Sequence, residues 1–159
     1  MAAKTPIHVA LDRFGRDAGL ELDRRAWFWG TDEVVVVCSL QKSQWTRAYY
    51  LNVGFYFRSF GNELHTAAES CHISLRGEDL LGHESDLREL LDLEQPIEDG
   101  DRSLRLYMLL HESLEPAIKQ ADTVAGVRAM LADGSLPDYK LTIAARTALG
   151  LPALPPLDA

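Results

Sequence analysis

The sequence predicts an α+β fold: an N-terminal helix, an antiparallel sheet of about five strands, and C-terminal helices packed on one face. Three observations carry this. Short runs rich in valine and aromatic residues, separated by turn signals, fill residues 20–76. From residue 80 onward the apolar spacing changes from two to helical. Strands followed by helices, rather than alternating with them, define α+β over α/β.

The elements follow in order. Ile7, Ala10, Leu11, Phe14 and Ala18 recur at helical spacing, with Thr5-Pro6 as the start and Gly19 as the stop, so residues 5–18 read as a helix. Extended segments follow at 20–24 and 26–30, the second being Ala26-Trp27-Phe28-Trp29-Gly30. Trp27 and Trp29 share a side, which predicts a strongly apolar face there. After the Thr31-Asp32 turn, Glu33–Gln41 and Arg47–Arg58 read as two long strands, and residues 70–76 as a fifth. The stretch 80–93 is leucine-rich and acidic, with Asp86, Glu89 and Asp92 on the side away from Leu87, Leu90 and Leu91. Asp101 is placed to cap a helix running to about Ala121, with Leu104, Tyr107, Met108, His111, Leu114 and Ile118 as its stripe and a kink at Pro116. Asp122 is the expected cap of a further helix ending at Asp133-Gly134, and the last helix spans about 137–149. Residues 1–150 are thus expected to form one domain, followed by the proline-rich tail LPALPPLDA, 151–159.

The two long strands can be phase-matched. Val34, Val36, Cys38 and Leu40 lie on one side of the first, and Tyr49, Leu51, Val53, Phe55 and Phe57 on one side of the second. A loop of four residues, Ser43–Thr46, brings both sets to one core by pairing Lys42 with Arg47, Leu40 with Tyr49 and Val34 with Phe55. A loop one residue longer or shorter would put the two sets on opposite faces.

The other side of the sheet is where a site is expected. It carries Gln41, Tyr50, Asn52, Tyr56 and Arg58, to which the fifth strand adds His72 and Arg76, with Cys71, Ile73 and Leu75 assigned to the core side. Such a face can stack and hydrogen-bond at once. A solvated outer face of an antiparallel sheet has a similar composition. Asn52 in mid-strand is off-propensity, and Gly54 weakens a strand unless another group approaches closely. Trp45, in the hairpin loop, reads either as a partner-contact anchor or as a ring folded back onto the helices.

The remaining chemistry is sparse. No GxGxxG or Walker loop, no GxSxG elbow, no HExxH and no Cys/His ligand quartet occurs, so neither a cofactor nor a metal is expected. His72 and Cys71 are adjacent and point to opposite faces, which disfavours a Cys–His nucleophile pair. His111 reads as a hydrogen-bonded core histidine, and His8, His65 and His83 as surface residues. The net charge of −8, from 24 acidic and 16 basic residues, argues against a nucleic-acid partner and suits solubility or a basic protein partner. No stretch approaches the ~18 apolar residues of a membrane span, and no signal peptide is evident. Two cysteines without metal-type spacing fit a cytoplasmic location.

The order helix, Trp/Phe strand, Leu40-Gln41-Lys42-Ser43, then Asn52-Val53-Gly54-Phe55-Tyr56, with a looser echo in Cys71-His72-Ile73, resembles a largely bacterial family catalogued as domain of unknown function 4304. The resemblance covers roughly residues 7–120. It implies an α+β domain with a central antiparallel sheet, and it carries no catalytic residue. Small bacterial domains of this general kind include immunity proteins that neutralise toxins. Three functions follow as expectations. The first is a binding module, toxin-neutralising in its specific form, acting through the polar sheet face. The second is an enzyme with His72 as acid/base and Arg58 or Arg76 holding an anionic substrate. The third is a self-associating structural protein.

Overall fold

Trp27 packs against a glycine, and this contact joins the first helix to the sheet. A computed structural model describes residues 4–62 and 66–152. Helix α1 (Pro6–Asp17) is capped by Thr5, whose hydroxyl accepts from His8 N. Its buried side is Ile7, Ala10, Leu11, Phe14 and Gly15. A Cβ at Gly15 would lie 2.3 Å from the Trp27 ring, so the indole occupies the space that any other residue would fill.

The sheet has five antiparallel strands in sequential order: β1 (Glu21–Asp23), β2 (Ala26–Gly30), β3 (Val34–Lys42), β4 (Tyr49–Phe57) and β5 (Ile73–Arg76). Its inner face carries Trp27, Val34, Val36, Cys38, Leu51, Val53, Phe55, Phe57, Ile73 and Leu75, all in one buried core with the helices. Each such aliphatic or aromatic side chain contributes about 1.5–3 kcal/mol on burial. The two long strands therefore anchor the fold.

The hairpin register differs by two residues from that expected. Lys42 pairs with Tyr49, Leu40 with Leu51, Cys38 with Val53 and Val34 with Phe57. The connection is 43–48, not Ser43–Thr46. The faces are unchanged, because a shift of two preserves the side-chain alternation. The reason for the longer loop lies outside the hairpin. Arg47 and Ala48 pair with another segment: Leu93 N donates to Arg47 O, Tyr49 N to Leu91 O, and Ala48 bridges Asp92. Buried Ser43 then closes the loop, its Oγ accepting from Trp45 N and Thr46 N.

Residues 77–90 form two short helices, α2 (Gly77–Leu81) and α3 (Leu87–Leu90). Helix α4 (Asp99–Leu109) is capped by Glu98, not Asp101. A π turn at Leu110–Leu114 joins it to α5 (Glu115–Gln120). The buried stripe is Arg102, Leu106, Leu110, Leu114 and Ile118, whereas Leu104, Met108 and His111 are exposed. A repeat of four drifts about 40° per step on a 3.6-residue turn, and the under-wound π turn counteracts that drift. Pro116 follows at the start of α5, where the break expected at proline is absorbed. Leu114 and Ile118 of the expected stripe are buried and Tyr107 is half-buried, while its other members are displaced because the true first member is an arginine. His111 is accordingly no core residue; its Nδ1 lies 2.9 Å from Glu115 Oε2 on the surface.

Thr123, not Asp122, caps α6 (Val124–Ala132), and Thr142 caps α7 (Ile143–Ala148). Asp122 instead accepts from Trp29 Nε1 at 3.1 Å, tying the helical end to β2. No helix among the described residues is long and apolar enough to cross a membrane. His65 and the tail from residue 153 lie outside the described residues.

Candidate functional site

The outer face of the sheet divides into a covered half and an open half. Phe28, Val35, Val37, Tyr56, Ala68 and Cys71 form a second buried cluster there, roofed by the turn at Ala68–Ser70. Cys71 therefore faces outward and not into the main core, while Ile73 and Leu75 do face that core. Its position just before β5 begins releases it from the strand alternation, and its Sγ donates to Ala67 O. Gly54 lies under this roof and supplies the close approach that a mid-strand glycine requires.

The open half holds four of the expected site residues in one array. Arg76 Nη1 donates to Asn52 Oδ1 at 2.7 Å and to Gln41 Oε1 at 3.2 Å. Asn52 Nδ2 donates to the same Gln41 oxygen at 3.1 Å. The Arg76 guanidinium carbon stands 4.3 Å from the centroid of the Tyr50 ring. Register creates this array, since Asn52 is directly opposite Arg76 and Gln41 directly opposite Tyr50. The off-propensity asparagine is thus the hub of a cross-strand network.

The other three expected residues sit elsewhere. His72 lies tilted against Tyr56, with centroids 4.6 Å apart, and beside Phe60. Its Nδ1 accepts from Phe57 N at 2.9 Å. Burial lowers its pKa below the usual imidazole range, so it is a neutral acceptor near pH 7. Arg58 reaches the opposite way, its Nη2 within 3.3 Å of where a Cβ on Gly30 of β2 would be. Asn52, which marks Arg76 on β4, is six residues from Arg58, about 20 Å along an extended strand. His72, Arg58 and Arg76 therefore share no common site.

Beside Arg76 a cleft of about 490 Å³ opens between β4, α2 and residues 139–140. Asp79 lines it, accepting from Arg76 N at 2.9 Å, with Lys140 Nζ at 3.6 Å and His83 Nε2 at 3.5 Å. Sequence reasoning missed Asp79, Tyr139 and Lys140. Asp79 is placed locally, three residues after Arg76 in the first turn of α2, whereas Tyr139 and Lys140 arrive through the isolated bridge between Ile73 and Leu141, which no local pattern announces. His83 is exposed as expected, but His8 is half-buried, with Nδ1 2.7 Å from Thr5 Oγ1 and its ring edge-on to Tyr49.

Trp45 resolves the alternatives left open for it. It is 89% exposed at the hairpin tip and folds back onto nothing. Next to the hairpin neck runs the segment that pairs with Arg47 and Ala48. That segment and its flanks expose Glu84, Asp86, Glu89, Glu94, Glu98, Asp99 and Asp101. Both cysteine thiols are pushed up to about 12 by burial, which leaves no activated thiolate. Among the described residues, no group of three or more His, Cys, Asp or Glu is placed to hold a metal ion.

These features define an α+β domain whose sheet is packed by helices on one face and presents a polar array and an aromatic tip on the other. The chain belongs to the domain of unknown function 4304 family, whose model matches residues 16–120. No curated protein and no solved structure matches it.

Proposed function

We propose that the chain is a cytoplasmic binding module for a basic protein partner, which it grips through the hairpin tip and the open half of the outer sheet face. The observation that carries this reading is the juxtaposition of Trp45, 89% exposed, with a hydrogen-bonded Gln41–Asn52–Arg76 array under Tyr50. Aromatic anchors and arginines dominate interface energetics, and a network held before binding loses little entropy on docking. The acidic segment beside the hairpin neck supplies the field that draws a basic partner. Free, buried Cys38 and Cys71 fit a reducing compartment. The specific form of the proposal is neutralisation of a basic toxin in a bacterial setting. Its support is the acidic charge together with a contact face that carries no activated nucleophile.

The test is co-expression with the product of the neighbouring gene. Stable capture of that product, with rescue of growth, is the expected result. Trp45→Ala should weaken the complex by about 2 kcal/mol, roughly 30-fold, without changing the melting temperature. Absence of both capture and rescue would count against the reading. The enzyme alternative draws no support from this geometry, because His72 and the two arginines diverge. Self-association is read from the same samples by light scattering.

A further inference from the structure

The inner face of the sheet ends in a cavity that the partner surface does not use. It measures about 550 Å³, within the range of small-molecule sites. One wall is apolar, formed by Leu22, Trp27, Leu40 and Tyr49. The rim is cationic, carrying Lys4, Arg25 and Lys42. Lys4 is paired with Asp12. Three cations against one carboxylate make this a locally positive site on a chain of net charge −8. A neighbouring hollow of about 270 Å³ shares Leu22 and Trp27 and adds Arg16 and Leu20.

The turn between β1 and β2 bears on the same site. Asp23 pairs with Ala26, so Arg24 and Arg25 alone make the turn, and both have positive φ, 48° and 71°. Two-residue hairpins of this kind normally use Asn-Gly, because only such residues enter the left-handed region cheaply. Here two arginines occupy it, and Arg25 lines the cavity. His8, on the cavity wall, is held below the usual imidazole pKa chiefly by burial, with the Lys4 and Arg25 charges acting the same way against Asp12.

We infer that this cavity binds a small amphipathic organic anion, a carboxylate or phosphate headgroup held by Arg25 and Lys42 with its apolar body against Trp27, Leu40 and Tyr49. A guanidinium and an ammonium on an apolar wall match such a molecule in both parts.

The test follows the Trp27 indole N–H resonance of the ¹⁵N-labelled full chain, identified with Trp29→Phe and Trp45→Phe variants. Octanoate, octyl phosphate and octanol are the probes. Saturable shifts with octanoate or octyl phosphate, at least about tenfold tighter than with octanol, are expected, and the preferred anion names the headgroup. Arg25→Gly should weaken anion binding at least about tenfold. It should also raise the melting temperature by about 2–4 °C, because glycine relieves the left-handed strain. Lys42→Gln, on the exposed rim, gives a second reading of the headgroup contact with the turn untouched. Silence of Trp27 toward both anions, octanol binding as tightly as they do, or unchanged anion binding by both variants would overturn the assignment.

Discussion

Gly54 lies directly under Ala68: a Cβ on residue 54 would stand 2.7 Å from the Ala68 carbonyl oxygen and 2.7 Å from Cys71 Sγ. This contact seals the covered half of the outer face and leaves the Gln41–Asn52–Arg76 array open. Gly54→Ala must displace backbone and not merely a flexible side chain. It should cost about 2–3 kcal/mol in urea denaturation, the usual range for overpacking. A neutral result would mean that the 66–71 roof is not seated on the sheet.

Arg102 is a second point of stress. It is 1% exposed, and its guanidinium donates to the carbonyls of Glu89, Leu90 and Gln95 at 3.2, 2.7 and 2.8 Å. Glu89 and Leu90 end α3 and Gln95 lies in the loop beyond it; Glu89 O also accepts from Asp92 N and Gln95 O from Ile97 N, so the buried Leu90 carbonyl leans on Arg102 most. Arg102→Met should destabilise the protein by about 1–3 kcal/mol, since the buried Leu90 carbonyl loses its charged donor. Arg102→Lys should recover only part of the loss, because an ammonium lacks the planar fork. Equal stability of the Lys variant and wild type in urea would refute this geometry.

His72 gives the fold a pH dependence. Burial lowers its pKa in the folded state, and the Phe57 N–H aimed at Nδ1 opposes protonation there. As pH falls below the ordinary value of 6.5, the unfolded chain takes up a proton that folded His72 resists. Stability is therefore full above that pH and declines as pH drops toward the depressed folded value. His72→Asn keeps an acceptor and removes the titration. Its stability should fall less than that of wild type between pH 7.5 and 5.5, and His8, also lowered, accounts for a remaining slope.

Cys38 and Cys71 should be inert in the native state. Both are buried and both thiols are pushed up to about 12. Ellman's reagent at pH 8 should label neither at a rate above that of local opening, and both on denaturation in urea. Cys71, under a three-residue turn, should react before Cys38, which lies in the sheet. The reverse order would contradict the placement of the roof.

Much of the architecture was legible because it rests on local periodicity. The α1 stripe, the five strands and the two faces of the long hairpin follow from alternation and helical spacing, which side-chain burial enforces residue by residue. Four of the seven outer-face residues also came together as an array, since Gln41, Tyr50, Asn52 and Arg76 needed only the correct faces and neighbouring strands. The misreadings share a cause. The hairpin loop is 43–48 because Arg47 and Ala48 bond to 91–93, a partner distant in sequence. The α4 stripe begins at Arg102, whose Nη1 and Nη2 donate to carbonyls that no pattern reveals. Cys71 was assigned to the core by carrying strand alternation back past Ile73, where the strand begins.

By itself, then, the sequence determined the fold class, the strand segments, the antiparallel sense of the long hairpin, and which sides of it are apolar. Those depend on short-range periodicity and on hydrophobic burial. Only the tertiary structure decided that the 66–71 segment roofs half of the outer face, that Arg58 turns away from Arg76, that Asp79 and Lys140 join the array's cleft, and that Arg25 and Lys42 border a cavity beside Trp27. Apart from Asp79, which caps the first turn after Arg76, these are contacts between segments far apart in the chain, set by where packing brings them and not by spacing within either one.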